Sequence, residues 1–523
     1  MGNGKSRKKL KMLSQIHGEK CWPMVDKMSP CEEACPIRMD VPSYIIALSQ
    51  GKFKEAIDVV RDTNPFPSVC GRICHHPCEE ACTRALIDKP LAIEFLKRFI
   101  GQFEQENGNR HRPKRVKRRK EEKIAIIGSG PAGLTAAHDL IKKGYGVTVY
   151  EALPVAGGML AAGIPEFNLP RETVEQDVNY IRSLGVEIKT NMKIGNDLSV
   201  TDLWNQGYHV ILLATGAWKS AELSIPGITL KGVIQALPFL RDIKLGERPH
   251  LKGSVVVIGG GNVAVDAARS ALRIGAKKVS LACLETRAEM PAFEWEIEKA
   301  EREGVLIYPA LAPQQFFSKI GKKVNGVDFK KVASTKRNGS GKVTWTLAEG
   351  PDVDVTMTAD SVIIAIGQVP DPSFISGTNV TDSGTFEIDP ETMATNVPGL
   401  FAAGDAVKLP GTVVEAIAAG HTAAKSMERY LQGKALKGKR RKKTEETLTI
   451  EEEMIPAFMV RKDRWDMPSL SSKDAVRSFG ETNLGFTAWQ VVEEAKRCLN
   501  CRMCGNCLFD RGQLCFETSA RLL

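Results

Sequence analysis

The chain has 523 residues, 43% hydrophobic, 26% charged and only 6% aromatic, which at about 100–200 residues per domain makes three or four domains of ordinary globular composition. It contains no run of 18 apolar residues, which excludes a membrane-spanning helix on length, and its basic start MGNGKSRKKLKML lacks the apolar stretch of a secretory signal. The net charge of +10 sits in three acid-free tracts, residues 1–12, 110–120 and 434–443; without their 20 Lys and Arg, 52 basic residues face 62 acidic ones, so the tracts read as solvated linkers and no basic face for nucleic acid is legible.

Residues 1–109 show helical periodicity around VPSYIIALSQGKFKEAIDVVRDT and PLAIEFLKRFIGQF, with seven cysteines between and around them. After the linker HRPKRVKRRK, a strand–Gly-turn–helix pattern begins at Lys123 and recurs at Ser254. A later strand ends in GLFAAGDAV before the helix VVEAIAAGHTAAKSMERYL. Beyond a second basic linker, a tail of about 80 residues ends in five more cysteines. With no export signal, clustered cysteines read as metal or iron–sulfur ligands in a reducing cytoplasm.

The first turn follows the apolar strand Ile124–Ile127 as Gly128-x-Gly130-x-x-Gly133, and the next strand, Val147–Tyr150, ends on Glu151. Glycines there admit a tight turn and bring the backbone and a helix N-terminus up to a pyrophosphate, and the acid can accept from a ribose hydroxyl. The second turn is Gly259-x-Gly261-x-x-Ala264, leading through Asn262 and Val263 to a strand that ends at Glu285. Alanine at the third position is often met with NADP. An acid at the strand end repels a 2′-phosphate and favours NAD, although Arg287 lies two residues on.

Cys31 and Cys35 are followed by Cys70, Cys74, Cys78 and Cys82 at four-residue spacing, with Pro77 breaking any single helix. The CxxC knuckles usual for zinc are missing there, so [4Fe–4S] ligation is the better reading. In the tail, Cys498, Cys501, Cys504 and Cys507 run at two-residue gaps, with Cys515 eight residues on. The ferredoxin pattern groups Cys501, Cys504 and Cys507 with Cys515 and leaves Cys498 spare, while zinc remains a competitor. Cys283 reads as a small buried hydrophobe, His75 and His76 as solvated turn residues, and Glu294, Glu296 and Glu298 as the solvated face of a helix.

Two dinucleotide units followed by AAGD resemble the flavoproteins with two dinucleotide-binding domains. With the N-terminal cysteines and GGMLAAGIPEFNLPRE, residues 30–432 resemble the small subunit of bacterial glutamate synthase, the N-terminal region of dihydropyrimidine dehydrogenase and the large subunit of ferredoxin:NADP transhydrogenase. The resemblance implies an α/β fold with two Rossmann-like domains, the NAD(P) domain inserted in the FAD domain. A helical iron–sulfur domain precedes them and a short Cys-rich iron–sulfur tail follows. The expected boundaries are 1–109 for the helical domain, 122–250 and 371–432 for the two segments of the FAD domain, 251–370 for the NAD(P) domain and 445–523 for the extension, with chain crossings at residues 214–216 and 365–367. The resemblance places FAD at Gly128, Gly130, Pro131, Ala132, Gly133, Glu151, Gly158, Met159, Thr215, Gly404, Asp405, Thr412, Val414 and Glu415, and adds Gly367 to the NAD(P) site. The redox CxxC of the disulfide reductases is absent beside the flavin.

Two departures stand out. The CxxC that the resemblance puts before Cys31 would fall at Pro23 and Asp26, and its non-cysteine ligand position falls at Lys97, with Glu94 the nearest carboxylate. The implied function is an NAD(P)H-dependent flavin and iron–sulfur oxidoreductase subunit. It would hold two or three [4Fe–4S] clusters and serve a catalytic or electron-accepting partner subunit, or ferredoxin. No acid–base residue is singled out, because hydride transfer is the cofactors' chemistry. The alternatives are a glutamate synthase small subunit proper, a bifurcating transhydrogenase-type subunit, and a zinc-stabilised flavin-binding scaffold.

Overall fold

The computed structural model describes residues 28–107, 115–337, 343–409, 411–437 and 460–501. The chain forms two compact units. The first comprises residues 1–111, 438–468 and 485–523, and the second comprises 112–437 and 469–484.

The described portion of the first unit is helical. Helix α1 (Val41–Ser49) starts where the Asp40 carboxylate accepts from the Ser43 amide, with proline in its first turn, an arrangement that satisfies an otherwise orphaned donor. Helices α2 (Phe53–Thr63), α3 (Pro67–Ile73) and α4 (Ile93–Glu106) follow. Gly71 of α3 lies so close to α4 that a Cβ there would stand 2.4 Å from the Arg98 Cα, so only glycine lets these two backbones meet. A buried Arg61–Glu104 pair ties α2 to the end of α4. The helix Ala488–Ala495 returns to this unit from far along the chain: its Glu494 is fully buried and accepts from the Ala92 amide.

The second unit holds two parallel five-stranded sheets. The strands of the first are β1 (Lys123–Ile127), β2 (Gly146–Tyr150), β3 (Glu187–Lys189), β4 (Tyr208–Leu213) and β10 (Leu400–Ala402), in the order β10-β4-β1-β2-β3. Those of the second are β5 (Val233–Gln235), β6 (Ser254–Ile258), β7 (Lys278–Ala282), β8 (Leu306–Tyr308) and β9 (Ser361–Ile364), in the order β5-β9-β6-β7-β8. The central strands β1 and β6 are near-continuous apolar runs because helices cover both faces of a parallel sheet. The second sheet thus takes in Val233–Gln235, upstream of the expected boundary at 251. Between β8 and β9 an antiparallel meander, Leu311–Phe317, Gly326–Arg337, Val343–Leu347 and Asp354–Thr358, packs its apolar side on β6 and β9.

The chain leaves the first sheet at Ala214–Gly216 and returns at Ala365–Gly367. The two crossings lie side by side: Lys219–Ser220 pairs antiparallel with Gln368–Val369, and the Ala221 amide donates to Gly367. Two short crossings hydrogen-bonded to each other make the second sheet an insertion in the first.

Candidate functional site

In the first sheet the turn after β1 leads into helix α5 (Pro131–Lys142). Gly128 has φ +105°, and a Cβ there would lie 2.2 Å from the Ala214 oxygen, so the turn tolerates glycine alone. Nothing lies within 4 Å of the Cβ position of Gly130, which leaves open space in front of the α5 N-terminus. Glu151, buried at the end of β2, accepts from the Ser129 amide at 3.0 Å, the Ser129 hydroxyl at 2.5 Å and the Leu153 amide at 2.8 Å. Ser129 Oγ in turn accepts from Gly157, next to Gly158 and Met159, so it joins three predicted segments. The Ser129 role was hidden at the variable position of the motif.

Thr215 follows the first crossing and carries a buried hydroxyl with no hydrogen-bond partner in the structure. Asp405 follows β10 and Gly404. Burial, and then the negative charge of Glu415, push its carboxyl up to about 6. Helix α7 (Val413–Leu431) begins with a capping box in which Thr412 and Glu415 bond each other's backbone, with Val414 buried behind them. Gly420 of α7 presses on the Ala132 backbone of α5. The open space at Gly130 and the orphaned Thr215 hydroxyl fit a flavin nucleotide with its pyrophosphate on the α5 N-terminus.

The second turn, between β6 and helix α6 (Asn262–Arg273), repeats the geometry, with Gly259 at φ +137° and open space at Gly261. The Glu285 carboxylate faces it, Oε2 standing 3.0 Å from the Cβ position of Gly260. Arg337, on a meander strand that no local pattern connects to the turn, pairs with Glu285 at 3.1 Å. Arg287 points elsewhere: Glu294 at 2.8 Å and Glu301 at 3.3 Å bind its guanidinium. The Asn262 side chain accepts from the Phe293 amide, while Val263 and Ala264 pack toward the core. Glu296 departs from the expected solvated face, because it pairs with the buried Arg269 at 2.9 Å. Cys283 is buried just past β7, where burial pushes its thiol up to about 12.

In the first unit the thiols fall into two groups, and neither follows their order in the chain. Cys31, Cys82, Cys498 and Cys501 line one cavity with Thr83, Arg84 and apolar side chains. Cys35, Cys74 and Cys78 are buried and interact with one another, and the buried Lys97 interacts with Cys74, Cys78 and Cys70. Burial pushes Cys31 up to about 12 and Cys498 and Cys78 well above the ordinary thiol value. Among the described residues, no three His, Cys, Asp or Glu side chains form a ready-made site for one metal ion. His76 is not a solvated turn residue: it is largely buried, and the Glu94 carboxylate 3.2 Å away outweighs the burial that lowers its pKa and raises it. Cys504, Cys507 and Cys515 lie outside the described residues. No described helix is long and apolar enough to cross a membrane.

A family model described as pyridine nucleotide-disulphide oxidoreductase matches residues 122–420, and one described as dihydropyrimidine dehydrogenase domain II, 4Fe-4S cluster, matches residues 13–109. The chain is 38% identical over 509 residues to the NADP(+)-dependent formate dehydrogenase subunit beta of Moorella thermoacetica, covering 91% of this chain and 71% of that one. It is 34% identical to the glutamate synthase [NADPH] small chain of Azospirillum brasilense, covering 77% of this chain and 87% of that one. Among solved structures, Mycobacterium tuberculosis FprA in complex with NADPH shares the fold, with a TM-score of 0.51 at 19% identity over 60% of this chain and 85% of that one. With two glycine turns, paired crossings and matched N-terminal cysteines, the chain belongs to the pyridine nucleotide-disulphide oxidoreductase family and carries the 4Fe-4S domain of the dihydropyrimidine dehydrogenase type.

Proposed function

We propose that the chain is the NAD(P)H-oxidising subunit of a redox complex, binding FAD at the first turn and NAD at the second and passing electrons through [4Fe–4S] clusters to a partner subunit. The observation that carries the reading is that one chain combines both dinucleotide turns with a mostly apolar cavity lined by four cysteines. When bound, FAD accepts a hydride equivalent from the nicotinamide and exchanges single electrons with iron–sulfur clusters.

The residues supply binding and orientation. The amides at the start of α5 would hold a pyrophosphate, and Glu151, fixed by Ser129, would accept from a ribose. Asp405 and the α7 N-terminus beyond Thr412 would lie beside a bound flavin, and the helix end would favour negative charge on it. At the second turn the Glu285 carboxylate disfavours a 2′-phosphate, and Arg287, engaged by two glutamates, does not offset it. NAD is therefore the proposed donor, although both relatives above are named for NADP.

The match to the formate dehydrogenase beta subunit spans 91% of the chain, against 77% for the glutamate synthase small chain. That favours a redox partner other than the glutamate synthase large subunit, and a carrier such as ferredoxin is the other candidate. Iron, acid-labile sulfide, zinc and FAD content of anaerobically purified protein, with NADH-dependent viologen reduction, tests the reading. Eight or so irons with one FAD support it; zinc without sulfide refutes it.

A further inference from the structure

We infer that the two ends of the chain build one [4Fe–4S] site together, with Cys31 and Cys82 supplying two ligands and Cys498 and Cys501 the other two. The inference rests on the iron–sulfur reading above and goes beyond it in assigning the ligands. All four thiols line the same cavity of the first unit. The Cys498-x-x-Cys501 spacing presents two sulfurs from one turn, which is how two-residue knuckles deliver paired ligands.

Each sulfur already has a polar partner of its own. Cys31 Sγ is 3.3 Å from the Ser29 hydroxyl, and Cys501 Sγ is 3.4 Å from the Thr83 hydroxyl. Cys82 Sγ accepts from the Leu91 amide at 3.5 Å, and Cys498 Sγ accepts from the Asn500 amide at 3.4 Å. Donors around every ligand sulfur are what a cluster needs, since they stabilise thiolate charge and tune potential. The rest of the wall is mostly apolar, with Val41, Leu91 and Leu499 excluding water. Four thiols spread around a cavity suit a four-iron cube, in which each sulfur meets its own iron.

The ends are brought together by contacts that do not involve sulfur. Arg497, one residue before Cys498, is buried and donates to Glu494, Asp88 and the Lys89 carbonyl, while Arg84, two residues after Cys82, donates to the Arg497 carbonyl at 3.3 Å. The site is therefore held in register without the cluster. The assignment takes Cys501 out of the expected tail set with Cys504, Cys507 and Cys515 and gives the spare Cys498 a role.

The test compares full-length variants purified anaerobically, with iron, sulfide and FAD measured and the dithionite-reduced protein examined by electron paramagnetic resonance. Cys498→Ala/Cys501→Ala and Cys31→Ala/Cys82→Ala should each lose about four irons and the same spectral component, with FAD retained. Cys504→Ala/Cys507→Ala/Cys515→Ala should keep that component. Retention of the component in the Cys498/Cys501 variant, or zinc in its place in the wild type, overturns the inference. Wild-type protein without iron and sulfide refutes instead the iron–sulfur reading on which it rests. If a variant fails to fold, iron-chelated wild-type protein treated with a short bifunctional thiol reagent decides. Peptides joining Cys31 or Cys82 to Cys498 or Cys501 support the site, and their absence overturns it.

Discussion

Arg497 Nη2 lies 2.7 Å from the Asp88 carboxylate, and the same guanidinium donates to Glu494 at 2.6 Å. Burial raises the Asp88 carboxyl, but its hydrogen bonds from Arg84, Lys462 and Arg497 outweigh this and hold it well below the usual range. The segment at Arg497 is thus fastened by ion pairs, of which the one with Glu494 is fully buried.

Removing one partner should therefore be costly. Arg497→Met leaves the fully buried Glu494 without its cation, while Asp88 keeps Arg84, and loss of half of a buried pair costs about 3–5 kcal/mol. Urea unfolding should show this as a separate early transition. Because the Asp88 pKa is depressed on folding, its contribution is full above about pH 4 and fades as pH falls further. Asp88→Asn should flatten that acid limb.

At the flavin turn the sign is reversed. Asp405 titrates at about 6 against an ordinary 3.8, so it stabilises the flavin-free protein below about pH 4 and loses that contribution as pH rises through about 6. The melting temperature of flavin-free protein should decline over this interval, and Asp405→Asn should remove the decline. A slope unchanged in the variant would show that another group carries it.

Nucleotide choice should follow Glu285. Glu285→Ser removes the carboxylate facing the second turn and should raise the NADPH-to-NADH ratio of kcat/KM roughly tenfold, the effect of about 1.4 kcal/mol. Arg287→Ala should change the ratio little, because its guanidinium is engaged with Glu294 and Glu301.

Lys97 gives a redox prediction. Its buried ammonium interacts with Cys74, Cys78 and Cys70, and a fixed positive charge beside a cluster favours the reduced, more negative state. Where these buried thiols hold a cluster, Lys97→Gln should lower its midpoint potential by roughly 100 mV, as expected for one charge several ångströms away in a partly polar interior. Potentiometric titration followed by paramagnetic resonance reads it directly, and an unmoved potential would separate Lys97 from the cluster.

Much of the second unit was legible because its signals are local. A strand, Gly128-x-Gly130-x-x-Gly133, a helix and Glu151 all fall within 30 residues, and the turn geometry is dictated by contacts among them. The paired crossings at Ala214–Gly216 and Ala365–Gly367 were legible for the same reason, as short small-residue breaks after apolar strands. Arg337 beside Glu285 was not, since a partner 52 residues away arrives through the meander's tertiary packing. The nearness of Cys501 to the N-terminal residue Thr83 was hidden on the same ground. Spacing collects Cys501 with Cys504 and Cys507, whereas the fold sets it beside Thr83, and no periodicity encodes which distant turns converge.

The hydrogen bond from Arg84 to the Arg497 carbonyl spans 413 residues of chain. At roughly 5–20 residues per second a ribosome needs roughly 20–80 s to bring the second partner out after the first. For that interval the N-terminal helices are exposed in the cell without the segment that completes them, while both parallel sheets can finish folding. An open, thiol-bearing fragment therefore precedes the closed first unit during synthesis, and that unit closes only after the strands of both parallel sheets have been made.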